Sequence, residues 1–125
     1  VNMPAKGGGS HRNLRARSTG GQVNHVPAWD SYRGVIDLKR GEGPAIWMPV
    51  EDHKKCLSTG SSEQAKIHRA RQRELIEAGR FDEAVELDLK DIAQRFDDGR
   101  YDAYILQMRN YVSRLDPAKM KPRKK

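Results

Sequence analysis

A single cysteine, Cys56, is the whole thiol content of this chain. One thiol forbids an internal disulfide and a Cys-rich zinc site, and it suits a reducing compartment. Aromatic residues make up only 6% and hydrophobic residues of all kinds only 36%. Over 125 residues that supports one domain around one thin core. No run approaches the roughly 20 apolar residues of a membrane helix. The opening VNMPAKGGGS has no apolar stretch of the signal-peptide kind. Gly7-Gly8-Gly9-Ser10 lacks the lysine and the preceding strand of a P-loop. The four histidines have neither zinc-finger nor H-E-x-x-H spacing.

What the chain does have is positive charge at its ends. The net charge is +7. Residues 1–20 hold four basic groups and no acid, and residues 114–125 hold six basic groups and one acid. The middle is close to neutral, with 14 basic and 16 acidic groups. Basic ends on a near-neutral body suit a polyanionic partner such as nucleic acid.

The pattern of residues predicts an α+β chain with strands first and helices after. Residues 1–21 read as a flexible basic entry with an ordered patch near Ser10-His11-Arg12. Residues 22–26 and 44–50 read as short strands, with Val35-Ile36-Asp37-Leu38 as a third. Pro49 closes the second strand. A short helix then starts at Glu51-Asp52, acids suited to a helix N-terminus. Ser62 reads as the N-cap of a helix ending at Ala78 with Gly79 after it. Phe81, Val85, Leu89, Ile92 and Phe96 share one face of the next helix, which Gly99 ends. Tyr101, Tyr104, Ile105, Met108, Tyr111, Val112 and Leu115 form the apolar face of the last, stopped by Pro117. Helical spacing accounts for these tyrosines and the methionine as core. The domain thus spans 22–116, with a core at about 22–60, a helical bundle at about 62–116 and a basic tail at 117–125. The helix at 81–96 is acidic outside (Asp82, Glu83, Glu86, Asp88, Asp91). The one before it, with Lys66, Arg69, Arg71 and Arg73, is the better nucleic-acid surface.

Two short apolar stretches each hold a histidine: Asn24-His25-Val26-Pro27 and Ile46-Trp47-Met48-Pro49-Val50-Glu51-Asp52-His53. Phosphodiester hydrolysis needs a base for the attacking water and positive charge on the phosphate. Histidine suits the base because its ordinary pKa lies near neutrality. His25 is the candidate base. His53, Asn24 and Asp52 are candidate ligands of one divalent ion, since His, Asn and Asp all bind such metals. Asn24 and His25 point to opposite faces of a strand, so both reach one site only where the strand bends or ends. Arg12, Arg15, Lys54 and Lys55 flank this site in sequence and are candidate phosphate contacts. His11 is a further candidate site residue. No sequence feature marks Cys56 as an activated thiol.

A histidine before x-Pro, an apolar strand with Pro, then Asp-His in a short helix and Ser58-Thr59-Gly60-Ser61 form a familiar order. Over about residues 10–62 the chain resembles the HNH/endonuclease VII superfamily, in particular the toxin domains at the C-termini of bacterial polymorphic toxins. The resemblance implies a ββα-metal (His-Me finger) core, a hairpin and a helix around one divalent ion (Zn, Mg, Mn or Ni). It matches His25 to the base, Asn24 to the neighbouring ligand position and His53 to the helix ligand. Asn24 stands where those families have Asp or His. The second histidine that several of them carry after the helix is missing, leaving Asp52 or His11 as the substitute. The resemblance further implies a DNase secreted within a larger effector, acting in the cytoplasm of a competing bacterium and neutralised by an acidic immunity protein. A basic toxin would be steered to such a partner.

Other classes compete with this reading. A ribonuclease toxin would use the 2′-OH as nucleophile and need no metal. A non-catalytic nucleic-acid-binding module would use the Arg-rich helix and the basic tail, with salt-sensitive binding and no turnover. A protein-binding helical scaffold leaves the +7 charge without a use.

Overall fold

The computed structural model describes residues 7–17 and 20–123. The chain is a mixed α+β fold with strands and short helices in its N-terminal part and a mainly helical C-terminal half. Strand β3 (Pro44–Met48) is central in a three-stranded antiparallel sheet, between β1 (Gly8–Ser10) and β2 (Gln22–His25). All five β3 residues are buried, as suits a strand covered on both faces. Pro44 is its first residue, where a missing N–H is tolerated. The register pairs His25 with Ala45 and Asn24 with Ile46 on one side, and Gly8 with Ile46 on the other.

Residues 8–17 correct the expectation of a flexible entry. They form β1 and helix α1 (His11–Arg17). Gly8 reads as linker in sequence, yet its missing side chain lets the last helix approach. A Cβ there would lie 2.4 Å from the Tyr104 carbonyl oxygen. That helix, α6 (Asp102–Ser113), lies against β1, and Gly8 N–H donates to Gln107 Oε1 at 3.0 Å. Residues 1–6, 18–19 and 124–125 lie outside the described residues.

The expected third strand at 35–38 is an irregular segment. β3 already has a neighbour on each side, so Ile36 and Leu38 enter the core as buried side chains instead. Short helices α2 (Trp29–Tyr32) and α3 (Val50–His53) follow β2 and β3. Helix α4 (Glu63–Glu77) begins as expected, with Ser62 Oγ accepting from Ala65 N at 3.1 Å. It ends in a Schellman pair: Gly79 N donates to Ile76 O and Arg80 N to Leu75 O. Gly79 takes the left-handed φ of +80° that this cap requires.

Helix α5 (Phe81–Arg95) packs on α4, burying Phe81, Ala84, Val85, Leu89 and Ile92. Asp88 does not lie on the solvated acidic face: it is buried, 2.5 Å from His68 Nε2 on α4. It falls one turn beyond Ala84, inside the stripe that faces α4. The segment after α6 also departs from a free basic tail. Lys119 pairs with Glu42 at 2.5 Å, Arg123 pairs with Asp37 at 2.7 Å, and Arg123 N donates to Val35 O. Among the described residues no helix is long and apolar enough to cross a membrane.

Asp52, expected as a metal ligand, ties α3 to the start of α6. Its Oδ2 accepts from Tyr101 Oη at 2.6 Å and from Arg100 at 3.1 Å, and Oδ1 lies 3.3 Å from the same guanidinium nitrogen. Asp52 and the Tyr101 ring are buried, so removing the carboxylate strands the Tyr101 hydroxyl and leaves Arg100 with Asp98 alone. Asp52→Ala is expected to destabilise the protein by about 3 kcal/mol in urea unfolding. A loss below about 0.5 kcal/mol would show that this link does not hold α3 in place.

Candidate active-site cleft

His25 is the last residue of β2, and the alternation of the strand separates it from Asn24. Asn24 turns to the side of the sheet that meets the segment after α3. Its amide nitrogen donates to Ser58 Oγ at 3.1 Å, and Ser58 Oγ lies 3.2 Å from Asn24 Oδ1. His25 is oriented by a hydrogen bond from Nε2 to the Arg40 carbonyl oxygen at 2.9 Å. A carbonyl only accepts, so Nε2 bears the proton and Nδ1 is the lone-pair nitrogen. The sequence alone had no reason to select Arg40. The register does place it, because pairing His25 with Ala45 brings the turn before β3 alongside the end of β2.

His11, the first residue of α1, stacks on this imidazole. The ring centroids are 3.9 Å apart and the planes differ by 12°. The His11 backbone N–H donates to Gly43 O at 2.9 Å, which fixes the start of α1 against the same turn. That turn (Arg40–Glu42) is held from outside, where Tyr111 Oη donates to Glu42 O at 2.6 Å. Behind His25, Trp29 lies 6.4 Å away and meets Tyr32 edge to face. Tyr32 is fully buried and its hydroxyl has no hydrogen-bond partner among the described residues. Gly43 makes room for both rings: a Cβ there would lie 2.0 Å from Tyr32 Oη and 2.9 Å from His25 Cδ2.

The two histidines open onto a cleft of about 460 Å³ lined by His11, Arg15, Gly20, Gly21, Gln22, Val23, His25 and Arg40. A second hollow shares His11, Arg15 and Arg40 and adds Arg12, Ala16 and Gly41. No carboxylate lines either one. Arg12, Arg15 and Arg40 form no ion pair among the described residues. By contrast, Arg73, Arg80, Arg95, Arg100, Arg109 and Arg123 are each paired with a carboxylate. Positive charge without internal partners, facing a concave surface, is an anion-binding arrangement. The Arg-rich helix α4 is less available than its sequence implies, since Arg69 donates to Gly60 O and Arg73 to Asp30 O.

The expected site residues therefore fall into two groups. His25, His11, Arg12 and Arg15 come together around the cleft. His53, Asn24 and Asp52 do not line it, and Lys54 and Lys55 are exposed at the end of α3. Among the described residues no three His, Cys, Asp or Glu side chains gather where one ion could sit. As arranged, the donor set His53, Asn24 and Asp52 does not fit one divalent ion beside His25: the Asn24 amide is engaged by Ser58 and the Asp52 carboxylate by Arg100 and Tyr101. Cys56 is buried, and burial with nearby Asp91 and Asp88 pushes its thiol up to about 12, so it is no nucleophile at neutral pH.

No family model matches the chain, and neither does any curated protein or solved structure.

Burial, then the charge of His25, Arg15 and Arg40, pushes the His11 imidazole down to about 4. Burial and the Arg40 cation hold His25 below its ordinary value, against the Arg40 carbonyl hydrogen bond, which favours the charged ring. Both rings are thus neutral at pH 7, and the unfolded chain takes up protons that the folded one refuses. Stability should fall as pH drops from about 6.5 towards 4, His11 contributing on the order of 2 kcal/mol once solvent screening is allowed for. NMR titration should find His11 half-protonated near pH 4, and His11→Gln should flatten the pH dependence of unfolding. A His11 midpoint at or above 6.5 would contradict the stacked, buried arrangement. Gly43→Ala is expected to cost about 1–3 kcal/mol by overpacking and to shift the ring resonances of His25 and Tyr32. Unchanged spectra would show that this turn does not seat the imidazole.

Proposed function

We propose that this chain is a nuclease, with the His11–His25 cleft as its reaction centre, and that its chemistry is metal-independent cleavage of RNA. The observation behind this reading is the stacked histidine pair in a carboxylate-free cleft with three arginines lacking internal partners. A carboxylate-free cationic cleft favours a phosphodiester, and neutral imidazoles supply a base at physiological pH.

In the proposed reaction His25 Nδ1 takes the proton of a ribose 2′-OH. The 2′-oxygen forms a bond to phosphorus, and the bond from phosphorus to the 5′-oxygen breaks. A 2′,3′-cyclic phosphate forms, and the leaving 5′-oxygen receives a proton from the histidine pair. Arg15 and Arg40 stabilise the charge that builds on the phosphoryl oxygens, as preorganised cations do most effectively in a partly desolvated site. The two rings lie too close to bear two charges, so the pair takes up one proton, the one abstracted from the 2′-OH, and returns it to the leaving oxygen.

A second reading, a metal-dependent DNase of the ββα-metal kind, draws on element order: His25 ends one strand, and Asp52 and His53 sit on the helix after the next. It requires ligands beyond Asn24 and Asp52 as now bonded. In either case we read the chain as the toxin part of a larger bacterial effector. Its +7 charge and unpaired arginines suit an acidic immunity protein that covers the cleft.

Total RNA and plasmid DNA incubated with the protein, in EDTA or with Mg, Mn, Zn or Ni, test these readings together. RNA cleavage that survives EDTA is expected, with His25→Ala lowering the rate by about 10²–10⁴. Plasmid nicking that EDTA abolishes would favour the metal-dependent reading. Unchanged RNA cleavage by His25→Ala would remove His25 as the base.

A further inference from the structure

Helix α1 separates two hollows. One holds the histidine pair. The other, about 300 Å³, lies towards α6 and is lined by Gly8, Gly9, Ser10, Asn13, Arg17, Gln107, Asn110, Tyr111 and Arg114. We infer that this second hollow is a nucleobase pocket, which holds one unstacked base of a single-stranded RNA whose backbone crosses α1 to the histidine cleft. The inference rests on the nuclease reading above and adds what the substrate is and how it is chosen.

The chemistry of the lining differs from that of the cleft. Three carboxamides, Asn13, Gln107 and Asn110, converge there from α1 and α6. A carboxamide offers a donor and an acceptor side by side, the pattern that pairs with the edge of a base through two hydrogen bonds. Gln107 is already oriented: its Oε1 accepts from Gly8 N, which leaves its amide protons as donors. The Asn13 and Asn110 side chains have no partner among the described residues. Ser10 Oγ accepts from Asn13 N and so fixes the backbone from which Asn13 projects. Tyr111 has its hydroxyl fixed on Glu42 O and adds an aromatic ring of the sort on which bases stack. Arg114, at the end of α6, supplies a cation without an ion-pair partner among the described residues.

The volume stands at the lower end of small-ligand sites, roughly 300–1,000 Å³. It suits one planar ring system better than a whole nucleotide. A helix with its side chains is about 10 Å across, a gap that a flexible single strand bridges while a stacked duplex keeps its bases inside. The residues at α1 divide accordingly: His11, Arg12 and Arg15 serve the histidine side, and Asn13, with Ser10 at the end of β1, the amide side.

The test is equilibrium binding, read by fluorescence anisotropy, of 2′-O-methyl hexanucleotides of A, C, G and U and of an abasic hexamer. These lack the 2′-OH nucleophile, so binding is measured without cleavage. The wild type is expected to prefer one base by about tenfold or more. Asn13→Ala/Asn110→Ala should reduce that preference to within about twofold while leaving the abasic hexamer bound as before. Asn13→Asp/Asn110→Asp, similar in shape, should change which base is preferred. Equal binding of all four bases, or a preference that survives the double alanine change, overturns the pocket while leaving the nuclease reading intact. Equal weakening of every oligomer, the abasic one included, also overturns it, because the surface would then contact backbone alone. No binding of any oligomer overturns the nuclease reading itself.

Discussion

Five consecutive buried residues, Pro44–Met48, accept a neighbouring strand on each side, and the rest of the chain is arranged by that constraint. β1 and β2 both precede β3 in the chain, and both are held to it by antiparallel ladders. Each delivers one histidine. His11 follows β1 directly and His25 ends β2, so pairing with the same end of β3 brings the two side chains together. The turn entering β3 then lies beneath both, with the Arg40 carbonyl on His25 and the Gly43 carbonyl on the His11 backbone. A shift of one residue in either ladder would send the corresponding histidine to the opposite face.

Charge is sorted with equal consistency. Five acidic groups of α3, α5 and the loop before α6 pair with arginines of the C-terminal half: Asp52 and Asp98 with Arg100, Glu83 with Arg80, Glu86 with Arg109 and Asp91 with Arg95. Arg12, Arg15 and Arg40 have no such partners among the described residues, so positive charge without an internal partner gathers where the histidines lie. Net charge alone conceals this, because the paired arginines count towards it equally. Burial first, and after it the charge of His25, Arg15 and Arg40, lowers the proton affinity of His11 and keeps it unprotonated through the physiological range.

The helical half was legible in the sequence because its signals are local. Ser62, Gly79 and Gly99 mark ends, and apolar residues at helical spacing mark the buried stripe. His25 was legible for a similar reason, since a histidine ending a short strand before Pro27 is a local pattern. What could not be read locally depended on strand order. Gly8 and Gly9 resemble a linker unless a helix some hundred residues later is known to rest on them. Val35–Leu38 has strand composition, but both edges of β3 were already taken. Asp52 and Asn24 have the chemistry of metal ligands, and only the three-dimensional partners Tyr101, Arg100 and Ser58 reveal how they are used here. The pairing of His11 with His25 joins two segments that no short motif connects.

The close fit of Gly8 beneath the Tyr104 carbonyl has an implication for the order of events in the cell. The first strand pairs with β3 but gains its covering layer only when the last long helix exists, and α1 follows that strand directly. The turn bearing Arg40 waits on the same helix, through Tyr111. A growing chain therefore presents His25 early but lacks the opposing ring and its scaffold until nearly all of the domain has left the ribosome. Assembly of the histidine pair marks completion of the fold.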